Sequence, residues 1–148
     1  MKVRIATGQD IPALFLIRTS VRENHLDLVQ LADRGVTPAS IAEMLSDDEA
    51  RVWVVEDEHE VLAFSMADAK QGTVFALFVD PKAEGRGYGR ALLEAAEEWL
   101  FASGWETIWL NTSQAPQFRA HQLYRAAGWK LAGVADHEDI RYEKRGKD

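Results

Sequence analysis

Cysteine is absent from the 148 residues, so the chain has no disulfide framework, no thiolate nucleophile and no cysteine zinc site. Histidine is scarce, and its four positions lack ligand spacing, so the chemistry expected here needs no metal. No Pro-, Gly- or Ser-rich linker, internal repeat or low-complexity run interrupts the sequence, and residues 1–148 read as a single domain. Positive charge is in deficit: 17 Lys and Arg against 24 Asp and Glu leave a formal charge of −7. That balance denies the chain the basic face nucleic acid requires, and it suits a small cationic acceptor. No run approaches the roughly 20 apolar residues of a membrane span, and MKVRIATGQD lacks a signal-peptide core, so the expectation is a cytoplasmic protein with no membrane partner. What the chain has is 47% hydrophobic residues, enough for one substantial core.

Periodicity gives alternating strands and helices. Lys2–Ala6 reads as a strand, and Asp10 as the cap of a helix with Pro12 in its first turn and Ile11, Leu14, Ile17 and Val21 on one face. Thr37-Pro38 opens another helix with Ile41, Met44 and Leu45 as its stripe, while residues 22–36 between the two carry no clear signal. Val52–Glu56 and Val61–Ala67 form a hairpin across Asp57–Glu60. Val74–Val79 is apolar without alternation, the pattern of a central strand buried on both faces. Leu92, Leu93, Ala96, Trp99 and Leu100 mark a helix stopped at Gly104, and Thr107–Leu110 a strand. Ala120, Leu123, Tyr124 and Ala127 mark a further helix, with Trp129–Val134 and Asp139–Lys144 closing the sheet and Lys144–Lys147 as a solvated basic tail.

The densest chemical signal is Val79–Arg90. Gly85, Gly87 and Gly89 let backbone N–H groups turn inward, the helix that follows adds partial positive charge, and Arg86 and Arg90 add full charges, so the turn suits phosphate. The competing reading is a helix entry whose glycines serve sterics alone. A dinucleotide fingerprint would need its third glycine at Arg90, and no Lys-Ser/Thr pair closes a P-loop.

Read together, Glu84-x-x-Gly87-x-Gly89, Leu77-x-Val79-x-Pro81 ahead of it, and Ala120-x-x-Leu123-Tyr124-x-x-x-Gly128-Trp129 resemble the GCN5-related N-acetyltransferase (GNAT) superfamily over nearly the whole chain. Glu84 stands where the family carries Gln or Arg, and Gln117 where it commonly carries Asn. The resemblance implies an α/β (α+β) fold: a mixed, mostly antiparallel central sheet, splayed at its middle strands, with helices on both faces. It implies acetyl-coenzyme A as co-substrate, with Leu77, Phe78 and Val79 offering backbone groups to the pantetheine arm. Gly85, Arg86, Gly87, Tyr88, Gly89 and Arg90 would hold the pyrophosphate, and Asn111, Gln117 and Tyr124 would complete the contacts. A strand bulge would stabilise the oxyanion, and transfer would be direct, in a ternary complex.

Tyr124 matches the family's general acid; the alternative is a core tyrosine on an apolar helix face. The strand Thr73–Val79 holds no carboxylate to act as base, which leaves Glu23, His25 and Asp68 as candidates, with water as the other route. His121 points away from Tyr124 by helical geometry and reads as surface. The acceptor expected is a small-molecule amine or a peptide amine, and the reading leaves room for a homodimer. Two other functions fit the turn: a non-catalytic acyl-coenzyme A-binding module and a nucleotide-binding regulatory domain.

Overall fold

The chain folds as β1 (Lys2–Ile5), α1 (Ile11–Ser20), α2 (Leu28–Asp33), α3 (Pro38–Leu45), β2 (Ala50–Asp57), β3 (Glu60–Asp68), β4 (Thr73–Val79), α4 (Tyr88–Ala102), β5 (Thr107–Ser113), α5 (Ala120–Ala126), β6 (Lys130–Val134) and β7 (Asp139–Arg145). These elements come from a computed structural model that describes residues 1–21, 25–113, 120–135 and 139–146. One seven-stranded sheet runs in the order β1-β2-β3-β4-β5-β7-β6, antiparallel except between β4 and β5. Apolar residues cover both of its faces. On one, α4 and α5 bury Leu92, Leu93, Leu100 and Tyr124; on the other, α1 and α3 bury Leu14, Ile17 and Ile41 against Val52, Val54 and Phe64. This is the mixed, splayed sheet with helices on both faces that the sequence implies.

Local chemistry fixes the element ends. Thr37 accepts from the Ser40 N–H at 3.1 Å and Pro38 fills the first helical position, so α3 starts as its sequence dictates. Asp10 departs from expectation: it makes no side-chain cap on α1 but binds the Arg4 guanidinium at 2.8 and 2.9 Å and the Thr7 N–H at 2.8 Å. A two-nitrogen fork is the stronger partner for a buried carboxylate, and it ties β1 to α1. Helix α2, which periodicity does not reveal, is fixed by a reciprocal cap in which Asp27 accepts from Gln30 N–H at 2.8 Å and Gln30 from Asp27 N–H at 2.9 Å. Asp27-x-x-Gln30 is the sequence signal for it.

Two further expectations are corrected. Lys144 is not in a solvated tail; it lies in β7 and its ammonium reaches buried Glu97 at 2.6 Å, which also accepts from Trp129 Nε1 at 2.9 Å. A carboxylate on the inner face of α4 needs those donors, so the strand is drawn onto the helix. Strand β4 is not buried on both faces: Phe75 is 45% exposed, and Ala76 to Val79 are only partly covered. The reason is the pairing. β4 and β5 meet at one register position, Thr73 and Trp109, and diverge beyond it.

Candidate functional site

The divergence of β4 from β5 leaves Leu77, Phe78 and Val79 half-covered, with the β5 side of their backbone unpaired to any described strand. A bulge sits in the same stretch. Met66 pairs with Ala76 and Ala67 with Val74, so Phe75 is the extra residue, and the local ladder is interrupted where the two strands part. An extended ligand chain can therefore lie along β4 as an added strand would.

At the C-terminal end of β4 the chain enters the glycine turn. Gly85 (φ +79) and Gly87 (φ +83) are both left-handed, and a Cβ built on either meets nothing within 4 Å, so the turn presents bare backbone to open space. Gly87 is the N-cap of α4 and carries no side-chain cap, and the first helical bond at this end runs from Ala91 N–H to Gly87. The N–H groups of Tyr88, Gly89 and Arg90 are thus the helix's open donors at the positive end of its dipole, over a 15-residue helix with no acidic residue in its first turn. Arg86 is exposed beside them, and Arg90 is also exposed, its Nε 3.1 Å from Glu94.

Gly89 has a different task. A Cβ there would lie 3.3 Å from Leu123 Cδ2 and 3.7 Å from Val79 Cγ2, so this glycine lets α5 pack against the start of α4. Tyr88 likewise serves the fold through its ring, which is buried while its hydroxyl donates to Asp57. That bond holds the Asp57 carboxyl below the usual carboxylate range. What Tyr88 offers a ligand is its backbone N–H.

Tyr124 follows Leu123 on α5, the helix that packs at Gly89. Its ring stands 5.5 Å from Tyr142 and 6.3 Å from Trp129, and burial, with Tyr142 adding to it, pushes the phenol's pKa up. A phenol so placed stays protonated at any working pH and is a hydrogen-bond donor. His121, expected on the surface, is 5% exposed: Nδ1 lies 3.0 Å from the Tyr142 hydroxyl, and Nε2 is buried without a partner among the described residues. Tyr142 of β7, an inner strand of the sheet, packs against that helix face, which helical angle alone does not reveal.

The other candidates are dispersed. Asp68 ends β3 and accepts from the Lys70 N–H at 2.8 Å, stabilising the β3–β4 turn. The exposed ring of His25 points Nδ1 back to Val21 O at 3.0 Å. Asn111 on β5 is exposed, with Arg141 Nε 3.4 Å from its oxygen. Glu23 and Gln117 lie outside the described residues.

Sequence reasoning missed a cavity of about 290 Å³ on the α1 side of β4. Phe15, Phe64, Phe75 and Phe78 line it with Arg18 and Arg34, and no described lining residue is acidic or histidine. Leu26, Leu31, Arg34 and Val36, from the stretch the sequence left unassigned, supply part of this wall, so periodicity gave no hint of it.

Comparison with known proteins agrees with this geometry. The family model described as Acetyltransferase (GNAT) family matches residues 17–129. The Peptidyl-lysine N-acetyltransferase YjaB of Salmonella typhimurium is 32% identical over 136 residues, covering 90% of this chain and 83% of that protein. The [Ribosomal protein bS18]-alanine N-acetyltransferase of Haemophilus ducreyi is 27% identical over 119 residues, 77% and 81% of the two chains. A Mycothiol acetyltransferase of Beutenbergia cavernae is 37% identical over 92 residues, and this chain spans 31% of its length. Among solved structures, the PaiA N-acetyltransferase of Thermoplasma acidophilum in complex with coenzyme A superposes with a TM-score of 0.84 over 99% of this chain and 100% of that one, at 14% identity, a likeness of fold.

Proposed function

The chain belongs to the acetyltransferase (GNAT) family, and from that premise we propose that it moves an acetyl group from acetyl-coenzyme A to a primary amine, both substrates being bound at once. The observation that carries the reading is the uncapped start of α4 between left-handed Gly85 and Gly87, set at the end of a strand that parts from its neighbour after a single pairing. An anion at those N–H groups and an extended arm along Leu77–Val79 would lead to the Phe75 bulge, where the cavity begins. The names of the bS18-alanine and peptidyl-lysine relatives accord with an amine acceptor.

Acetyl-coenzyme A supplies the thioester: the neutral amine attacks the carbonyl carbon, the C–S bond breaks, the nitrogen gives up a proton and the sulfur takes one. The residues of this chain divide that work. A backbone N–H near the bulge donates to the carbonyl oxygen as its charge develops. Tyr124 donates from its hydroxyl to the departing sulfur, a task for which a raised pKa keeps it in the right form. With no carboxylate or histidine among the described lining residues, the amine's proton passes to water.

The test is selective stabilisation. Acetyl-coenzyme A at about 100 times its dissociation constant should raise unfolding free energy by about 2.7 kcal/mol, and ATP much less. Equal shifts with the two ligands contradict a coenzyme A site.

A further inference from the structure

The end of the β2–β3 hairpin grips the glycine turn from both sides. Asp57 and Glu60 are register partners across a two-residue turn of Glu58 (φ +50) and His59 (φ +67), a left-handed pair that matches the twist of a tight hairpin. The Glu60 carboxylate meets the Lys82 ammonium ahead of the glycines, and the Asp57 carboxylate accepts from the Tyr88 hydroxyl just after them. Between these anchors the turn has little of its own to hold it. Among the described residues, the N–H groups of Gly85, Arg86 and Gly87 donate to no backbone carbonyl, and both glycines are left-handed with open space beside them. The anchors are unequal. The Lys82–Glu60 pair is 58% and 55% exposed, whereas the Tyr88 ring is buried in the same core cluster as Val55 and Leu62. Tyr88 is the first residue of α4, so whatever fixes its side chain fixes the helix's first open N–H groups as well. Charge alone argues against a carboxylate in this place, because it repels the phosphate that the turn suits.

Resting on the acetyl-transfer reading above, we propose that Asp57 is a positioning residue for the acyl donor: through the Tyr88 hydroxyl it holds the glycine turn and the start of α4 in the shape that receives the pyrophosphate of coenzyme A. Its contribution is preorganisation. A loose turn must be ordered when the ligand arrives, and that ordering is subtracted from the affinity, while a turn already held loses less. The effect is confined to the parts of the ligand that touch the turn, since β4, along which the pantetheine arm lies, is held by its own ladder to β3. Charge and positioning therefore predict opposite signs. Removing the carboxylate eases repulsion of a phosphate, and removing the brace weakens its binding.

Calorimetric titration measures coenzyme A affinity, and the rise in unfolding free energy in pantetheine, which keeps the arm and lacks the pyrophosphate, measures the rest of the site. Asp57→Ala should weaken coenzyme A binding at least about fivefold and pantetheine binding less than about twofold. Asp57→Asn keeps an acceptor oxygen without the charge and should recover most of that loss. Tyr88→Phe keeps the ring and should weaken coenzyme A binding as Asp57→Ala does. The double variant should bind within about twofold of either single one, as the two ends of one bond require. Glu60→Gln removes a charge of the same sign from the same hairpin pair and should change coenzyme A affinity less than about twofold. Asp57→Ala that binds coenzyme A as tightly as the unaltered protein or more tightly, or that weakens coenzyme A and pantetheine alike, overturns the proposal. Acetyl transfer still stands in both cases, whereas an unaltered protein that coenzyme A fails to stabilise removes the two together.

Discussion

The Thr73 hydroxyl donates to the Trp109 carbonyl at 2.8 Å, and the same two residues form the one register pairing between β4 and β5 among the described residues. The bond closes the gap at one end and so fixes where it opens. Thr73 is 5% exposed, and replacing its hydroxyl by a methyl leaves the partly buried Trp109 carbonyl short of a donor. Thr73→Val should cost about 1–2 kcal/mol of stability. An unchanged denaturation midpoint would show that the strands are held by other contacts.

Gly87 and Gly104 make a matched pair for testing the turn. Both have positive φ, +83 and +108, and both leave a Cβ in open space, but only Gly87 opens α4. Substituting Ala at either should cost about 1–2 kcal/mol in backbone strain. Gly87→Ala should in addition weaken acetyl-coenzyme A binding at least tenfold, about 1.4 kcal/mol, and Gly104→Ala should not. Calorimetric titration of both variants decides it, and equal affinities would assign Gly87 to the helix entry alone.

Much of this was legible beforehand because it is written in local chemistry. The Gly87-x-Gly89 spacing, the Thr37-Pro38 cap and the Asp57–Glu60 hairpin each depend on a few adjacent residues, and the structure repeats them. The splay of the sheet came from the resemblance, not from the pattern of β4, whose unbroken apolar run reads as full burial. Apolar residues that face a ligand cleft and apolar residues that face a core look alike in sequence. The Arg4–Asp10 pair, the Glu97–Lys144 bond and the burial of His121 depend on contacts between distant segments, and one-dimensional periodicity carries no record of those. The cavity with Arg18 and Arg34 was hidden for the same reason, since α1 and α2 become neighbours only after folding.

Asp10 should govern stability in acid. Arg4 holds its carboxyl below the ordinary value, so the carboxylate contributes stability above about pH 3.9, the unfolded value, and that contribution is lost as pH falls through the lower folded value. Asp10→Asn should remove about 2 kcal/mol at neutral pH and flatten the decline below pH 4. Urea titrations across that range provide the check; a parallel decline in both proteins would place the acid sensitivity elsewhere.

Tyr124→Phe separates packing from proton donation. The ring contacts with Trp129 and Tyr142 survive the change, so cofactor affinity should hold while kcat falls by roughly 10²–10⁴. Because burial raises the phenol's pKa, folding favours its neutral form: stability is full below about pH 10 and falls as pH climbs from there through the folded value. The Phe variant should lose that alkaline dependence, and its pH–rate profile should keep any limb seen in the wild type below pH 9. Unchanged kcat with normal acetyl-coenzyme A binding would make Tyr124 a packing residue.

The central claim, that this chain transfers acetyl groups to amines, is tested most directly by following thiol release from acetyl-coenzyme A across apolar amino acids, polyamines, lysine peptides and neutral alcohols, with mass detection of the products. The account predicts thiol release that depends on an added amine, matched mole for mole by an N-acetylated product, with the alcohols inert. A protein that acetyl-coenzyme A stabilises but that releases thiol with no amine in the panel would contradict it, and would leave a coenzyme A-binding module in its place.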